Sequence, residues 1–205
     1  MAANAHWIVT SPGQPVVGLD FDGVLNVTVR GEVPPGFELH MVELDRANWP
    51  QHPYIRPLPP GTGPVTHAVV VSRAHGEMVR SWLAAGACVV WATTWERAVL
   101  RNASLCDLPD LPVLEISKVL ADRPHHTADW KVAGLQAAFP GHPLVWVDDF
   151  GGDLRGESTY GQPPSPMLVV APDDWVGLTQ EQSDDVLGFV RRWGGVRQAG
   201  PGESH

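Results

Sequence analysis

The segment at residues 16–26 constrains the fold of this chain more than any other part of its 205 residues. It opens with four apolar residues, Val16–Leu19, a pattern typical of a short buried strand. Asp20 and Asp22 follow directly, and Gly23 allows the chain to turn away. With one residue between them, both carboxylates can face a crevice beyond the carboxyl edge of a sheet, where open α/β sheets bind ligands.

Two carboxylates held this close are unfavourable unless a cation lies between them or one of them takes up a proton. Taken alone, the stretch is explained equally well as a strand that ends in an Asp-Gly turn, with Asp20 and Asp22 both in water. A functional interpretation therefore needs partners elsewhere in the chain.

Size and composition limit what the chain can be. Its 205 residues suffice for one α/β domain with a real core. No apolar run reaches membrane-spanning length and residues 1–10 lack the regions of a signal peptide, so we expect a cytoplasmic protein with no membrane partner. A net charge of −9 argues against an extensive nucleic-acid-binding surface, although a local basic pocket stays open.

Strand and helix patterns alternate along much of the chain. Apolar runs predict strands at residues 16–19, 67–71, 87–93, 113–116, 144–147 and 167–171, and helical patterns lie at residues 76–85, 96–105, 128–139 and 180–193. Thr179 is a good N-cap for the last helix, with Gln182 at the capping-box position. This order predicts an α/β fold with a doubly wound, mostly parallel sheet, in which strand 16–19 lies between strands 87–93 and 144–147.

Residues 30–64 are rich in proline and weakly periodic. Such a composition favours extended loops and a short hairpin, and a long irregular stretch in a compact domain is commonly a lid or a binding loop. We therefore predict one α/β domain over residues 1–197, with a small flap inserted at about residues 27–66, and a disordered tail at residues 198–205.

A second strand also ends in carboxylates. Asp148 and Asp149 follow the predicted strand at residues 144–147, and Asp153 comes four residues after Asp149. Acids at the edge of a sheet again require a cation, and oxygen-only ligands suit Mg²⁺. The alternative for these residues is a solvated acidic loop.

Three further positions are candidates for anion binding. Thr93 and Thr94 end the strand at residues 87–93, although Thr94 can equally cap the helix that follows. Lys131 lies near the start of a predicted helix, where a lysine opposes the helix dipole unless an anion binds there. Lys118 competes with Lys131 for this role. The His125-His126 pair lacks zinc-site spacing and is interpreted as loop residues near a substrate.

Together these motifs resemble the haloacid dehalogenase superfamily, whose members are mostly phosphatases. The likeness covers roughly residues 16–153 and runs in the family's order: Asp-Phe-Asp-Gly-Val-Leu-Asn at 20–26, Trp-Ala-Thr-Thr-Trp at 91–95, a lysine at a helix start, and Trp-Val-Asp-Asp at 146–149. The resemblance implies a Rossmann-like sheet and a Mg²⁺-dependent phosphatase that works through an aspartyl-phosphate.

The resemblance also implies roles for the first-motif and anion-binding residues. Asp20 would be the nucleophile, and Asp22 the general acid and base that protonates the leaving oxygen and then activates water. Thr93, with Thr94 as its alternative, would bind the phosphoryl group. Lys131 would neutralise the charge of phosphate and nucleophile.

In the same resemblance, Asp149, with Asp148 as a possible second ligand, would hold Mg²⁺ together with Asp20 and the backbone carbonyl of Asp22. Asp153 would orient the metal's surroundings. Both phosphate and clustered aspartates are anionic, so the approach of one to the other requires this cation and Lys131.

The short insert leaves room only for a minimal cap. In the family, a minimal cap often goes with large substrates such as nucleic-acid ends. The acidic net charge instead favours a small phosphorylated metabolite, so both substrate classes stay open. A non-catalytic regulatory domain of the same fold is a further alternative. Candidate substrate contacts lie at Asn26, Thr94, Trp95 and Arg97, with Arg30 in addition.

Overall fold

The computed structural model describes residues 8–44, 59, 61–119, 127–151 and 165–194. These residues form an α/β structure of two sheets and five α-helices. The strands are β1 (Val16–Leu19), β2 (Glu38–Leu44), β3 (Val65–Val71), β4 (Cys88–Trp91), β5 (Leu144–Val147) and β6 (Met167–Val170), and the helices are α1 (Arg73–Ala84), α2 (Leu100–Ala103), α3 (Ile116–Val119), α4 (Thr127–Ala138) and α5 (Gln180–Gly194).

The main sheet has the strand order β4-β1-β5-β6, and every neighbouring pair is parallel. The prediction that the first strand lies between those that precede Thr93 and Asp148 is therefore confirmed. In register, Leu19 lies beside Trp91 on one side and Val147 on the other. The loops that follow these three strands consequently leave the sheet at one common edge.

Helices cover both faces of this sheet because its strands are apolar on both sides. Val17 and Leu19 of β1 belong to an apolar cluster with residues of α1 and α5. Val16, whose side chain alternates to the other face, belongs to a second cluster with residues of α4. All four residues of β1 are buried, so the loop that begins at Asp20 rests on a rigid base.

Strand β3 does not join the parallel sheet, although it was predicted as one of the alternating strands. It pairs antiparallel with β2 in a separate hairpin, with Leu39 opposite Val70 and Met41 opposite Ala68. Val69 and Val71 face the core, and the alternate residues Leu39 and Met41 are exposed. One face of the hairpin therefore packs on the core, and the exposed side chains of Leu39 and Met41 lie on the other.

Two predicted elements are corrected. The strand expected at residues 113–116 is a single parallel bridge between Val113 and Trp91, followed by α3. The helix expected at residues 96–105 is three short segments, namely 3₁₀ turns at Glu96–Val99 and Ser104–Cys106 on either side of α2. Left-handed backbone at Glu96 (φ 46°) and Asp107 (φ 54°) bounds this region at both ends.

The start of α5 confirms the predicted capping box. The backbone N–H of Gln182 donates to Oγ1 of Thr179, and the N–H of Thr179 donates to Oε1 of Gln182. Among the described residues, no helix has both the length and the apolar character needed to cross a membrane. The predicted tail at residues 198–205 and the middle of the predicted flap lie outside the described residues.

Candidate functional site

Three aspartates converge at the carboxyl edge of the sheet. Asp20 follows β1, while Asp148 and Asp149 follow the neighbouring strand β5. One carboxylate oxygen from each lies within 4.8 Å of the others. The backbone N–H of Asp20 donates to the carbonyl of Val147, which fixes the two loops relative to each other. Adjacent parallel strands thus bring together residues that are more than a hundred positions apart.

Lys131 of α4 lies among these acids and is buried, with 5% of its surface exposed. Its Nζ donates to Oδ2 of Asp20, and to Oδ2 of Asp148 at 2.7 Å. Burial alone would lower the pKa of Lys131, but the charges of Asp20 and Asp148 outweigh it and raise that pKa above its usual value. The ammonium group is therefore charged and held in place by two carboxylates.

The remaining oxygens of these two carboxylates are also bonded. Oδ1 of Asp20 accepts from the backbone N–H of Phe21 at 2.8 Å, and Oδ1 of Asp148 accepts from the N–H of Phe150 at 2.9 Å. Among the ion pairs within the described residues, none includes Asp149. Asp148 is consequently engaged with Lys131, whereas Asp149 is the member of the cluster left without an ammonium partner.

The site carries more negative charge than Lys131 neutralises. Burial, and then the charge of Asp20, raises the pKa of Asp148 to about 7 and that of Asp149 to about 6. Three carboxylates against one ammonium favour either protonation or a bound cation. The donor set consists of oxygen atoms alone, which fits Mg²⁺.

Gly23 packs directly on Asp149. Its backbone has a φ of +70°, and a Cβ added there would lie 2.4 Å from Cγ of Asp149. Only glycine accepts both this conformation and this approach. The Asp-x-Asp-Gly turn of the sequence therefore places the backbone of the first motif against the carboxylate of the last.

Asp22 lies apart from the three-aspartate cluster. Its Oδ2 accepts a hydrogen bond of 2.6 Å from Nε1 of Trp95, and its Oδ1 accepts one of 2.7 Å from Nδ2 of Asn26. The residue as a whole is exposed to solvent. The protein packed around its carboxyl nevertheless raises the pKa of Asp22 by desolvation; the Trp95 bond acts in the opposite direction, and the charge of Asp20 adds to the rise.

The threonines at the end of β4 differ in their surroundings. Thr93 is fully buried, and its Oγ1 accepts from the backbone N–H of Trp95 at 3.3 Å. Thr94 is half-buried. The helical segment after them, Glu96–Val99, has Trp95 at its N-cap position and no side-chain cap, so Thr94 does not cap it.

Three of the predicted substrate contacts are occupied by the protein itself. The amide of Asn26 is used at both ends, since its Oδ1 also accepts from the N–H of Val70 at 2.7 Å. Trp95 is 8% exposed and is bonded to Asp22. Arg97 pairs with Glu115 on the surface.

The other candidate residues lie away from the cluster or outside the described residues. Lys118, the competitor of Lys131, is 58% exposed and pairs with Glu115. The guanidinium of Arg30 lies 4.3 Å from the centre of the Trp175 ring. Asp153 and the pair at residues 125–126 fall outside the described residues.

The sequence reasoning missed Glu96. This residue is 8% exposed, and its carboxylate accepts hydrogen bonds from the backbone N–H and the hydroxyl of Ser117. It also has a left-handed φ of 46°, which is rare for a side chain of this size. Glu96 thus fastens the turn that carries Thr93 and Trp95 to α3, and no local sequence signal marks such a contact.

Comparisons with known proteins identified no similar protein. No family model, no curated protein and no solved structure matches the chain. What the described residues establish is an α/β fold with a parallel sheet and a cluster of acids around a buried lysine.

Proposed function

We propose that the chain is a Mg²⁺-dependent phosphatase of the haloacid dehalogenase type, which forms an aspartyl-phosphate on Asp20. The observation that carries this proposal is the grouping of Asp20, Asp148 and Asp149 about the buried Lys131, with Asp22 held separately two residues from Asp20. One carboxylate is thereby assigned to attack and a second, in a different environment, to proton transfer.

In the proposed reaction, a carboxylate oxygen of Asp20 attacks phosphorus and the bond from phosphorus to the ester oxygen breaks. Asp22 gives its proton to that leaving oxygen. Water then attacks the phosphorus of the aspartyl-phosphate, gives a proton to Asp22, and releases inorganic phosphate with Asp20 restored. The raised pKa of Asp22 favours the protonated form that the first step needs.

The positive charge for this chemistry comes from Lys131, which already contacts the proposed nucleophile. Asp148 holds Lys131 in place. Because Phe21 and Phe150 donate backbone N–H groups to these carboxylates, the arrangement is preorganised before substrate binds. Thr93, buried at the neighbouring strand end, is the proposed hydroxyl donor to the phosphoryl group.

Asp20 and Asp149 are the proposed side-chain ligands of Mg²⁺, since Lys131 engages Asp148 and leaves Asp149 without a cation. The resemblance adds the backbone carbonyl of Asp22 as a further ligand, and Asp153 as a residue that orients the metal's surroundings. When bound, Mg²⁺ supplies charge neutralisation and orientation of the phosphate.

The test is turnover of phosphate monoesters by the purified protein. We expect phosphate release that is lost with a chelator and restored by Mg²⁺, and that Asp20→Asn lowers by about a thousandfold or more. Asp185→Asn is the matched control, because Asp185 is exposed on α5. Turnover that survives exhaustive chelation, or an Asp20→Asn variant as active as its control, would overturn the proposal.

A further inference from the structure

The two oxygens of the Asp22 carboxylate each accept one hydrogen bond, from Trp95 on one side and from Asn26 on the other. Asp22 is exposed, and the last torsion angle of an aspartate side chain has only a weak preference of its own. The direction of this carboxylate therefore depends on its hydrogen-bond partners. Each oxygen keeps a second lone pair, so the two bonds leave Asp22 able to carry the proton of the proposed reaction.

The amide of Asn26 is held in one orientation by its two bonds. Its Oδ1 accepts from the backbone N–H of Val70 at 2.7 Å, and its Nδ2 donates to Oδ1 of Asp22 at 2.7 Å. A backbone N–H can only donate and an ionised carboxylate can only accept, so an amide turned by 180° would lose both bonds. The bond from Val70 therefore ensures that Asn26 presents a donor to Asp22.

Val70 belongs to strand β3, and both of its backbone groups bond to the segment that follows the first motif. Its N–H donates to Asn26, and its carbonyl accepts from the N–H of Val27 at 2.9 Å. The same strand also reaches Trp95, because the ring of His67 lies edge-on to the indole, with the ring centres 5.9 Å apart. The β2-β3 hairpin thus contacts both of the side chains that bind the proposed general acid and base.

We propose that Asn26 positions Asp22 for proton transfer: its amide fixes the direction of the Asp22 carboxylate and takes its own direction from strand β3. The inference rests on the proposed phosphatase function and adds to it a positioning residue that acts through Asp22. Proton transfer requires that Asp22 lies within hydrogen-bond reach of the leaving oxygen and points toward it. Loss of the Asn26 bond should therefore slow this step more than it weakens substrate binding.

Asn26→Ala removes both bonds and leaves the carboxyl group of Asp22 in the chain. We expect kcat for alkyl phosphates to fall by about tenfold or more, the factor for one hydrogen bond to a charged group, with little change in KM. Turnover of p-nitrophenyl phosphate, whose leaving group needs less help from a proton, should fall less. Thr28→Ala is the matched control, because Thr28 is exposed on the same segment. Equal losses for the two kinds of ester, or a loss no larger than in the control, would overturn the proposal.

An exchange of the two side chains tests the bond without any measurement of turnover. In the otherwise unchanged chain, Asn26→Asp places a second carboxylate against Asp22 and should lower the urea midpoint of the chelator-treated protein. In the Asp22→Asn background this loss should be abolished, because the amide at position 22 can donate to the carboxylate at position 26 and still accept from Trp95. Thr28→Asp adds the same charge nearby and should shift the midpoint similarly in both backgrounds. An equal loss from Asn26→Asp in the two backgrounds would overturn the proposal.

The two measurements separate this inference from the proposed function. No turnover of any ester by the wild type, together with a loss of stability from Asn26→Asp that disappears in the Asp22→Asn background, would overturn the phosphatase and retain Asn26 as the residue that orients Asp22. Turnover by the wild type, with the same leaving-group dependence in Asn26→Ala, would overturn the positioning role alone.

Discussion

The indole Nε1 of Trp95 donates a 2.6 Å hydrogen bond to Oδ2 of Asp22, and this bond joins the loop after β4 to the loop after β1. Phe21, in the loop after β1, also contacts Trp95, with the two rings edge-on and their centres 5.8 Å apart. Trp95 therefore sets the position of the proposed general acid and base, a role different from the substrate contact predicted for it.

Trp95→Phe keeps an aromatic ring and removes this bond. Because a hydrogen bond to a charged group contributes about 1.5–3 kcal/mol, we expect turnover of alkyl phosphates to fall by about tenfold or more. Esters with good leaving groups, such as p-nitrophenyl phosphate, need less help from Asp22 and should be affected less. The measurement is the dependence of kcat on the leaving group's pKa, which should steepen.

Trp91→Phe is the control for this variant. Trp91 also packs edge-on against Phe21, at 6.1 Å, but it is fully buried and its Nε1 has no hydrogen-bond partner within the described part of the chain. This substitution should lower stability and leave the leaving-group dependence unchanged. The same steepening in both variants would mean that packing on Phe21, and not the bond to Asp22, controls proton transfer.

Removal of the buried ammonium group should affect both activity and stability. Lys131→Met leaves Asp20 and Asp148 without their shared partner, so we expect turnover to fall by about a hundredfold or more and the free energy of unfolding to fall by about 3 kcal/mol. Urea unfolding should show part of this stability recovered in the Lys131→Met, Asp148→Asn double variant. Lys118→Ala changes a surface residue and should reduce turnover only slightly. A larger loss of turnover in Lys118→Ala than in Lys131→Met would mean that Lys118 is the lysine that binds the phosphate.

Gly23→Ala tests the contact between the first and last motifs. Its Cβ would meet the Asp149 carboxyl at 2.4 Å, whereas a Cβ at Gly36, with a similar φ of +83°, meets none of the described residues within 4 Å. Both alanine variants should lose about 1 kcal/mol of stability through left-handed strain. Only Gly23→Ala should also weaken Mg²⁺ binding measured by calorimetry, and equal Mg²⁺ affinity in the two variants would contradict the placement of Asp149.

The raised pKa of Asp148 predicts a pH dependence of stability in the chelator-treated protein. An acid whose pKa is higher in the folded than in the unfolded chain favours folding while protonated. Its contribution is complete below about pH 3.8 and is lost as the pH rises to about 7. The unfolding free energy of the wild type minus that of Asp148→Asn should therefore decrease over this interval. If the difference between the two unfolding free energies stays constant or increases with pH, the pKa of Asp148 is not raised in the folded protein.

Much of the fold could be predicted because its signals are local. Each parallel strand is a short apolar run, β1 and β5 lead directly into an aspartate, and Thr179 with Gln182 forms a capping box that is visible in the sequence. The pairing of β3 with β2 could not be predicted in this way, because the partner strand lies inside a proline-rich region without clear alternation.

The residues of the candidate site also fall into two groups, those that the sequence could predict and those that it could not. The three aspartates of the cluster follow strand ends, and Lys131 lies near the start of α4. The topology of the sheet therefore brings these four side chains together. The bonds of Trp95 and Asn26 to Asp22, and of Glu96 to Ser117, depend on side-chain direction across loops. Such contacts have no periodic signal, and these residues were therefore either assigned to substrate or overlooked.

The aspartyl-phosphate itself is the most direct test of the account. Asp22→Asn should slow hydrolysis of the intermediate, so that it accumulates when this variant is mixed with p-nitrophenyl phosphate and Mg²⁺ and then quenched. Borohydride converts an aspartyl-phosphate to homoserine, which mass spectrometry of peptides locates. We predict homoserine at position 20 and nowhere else; steady turnover with no modified residue, or modification at a different aspartate, would contradict Asp20 as the nucleophile.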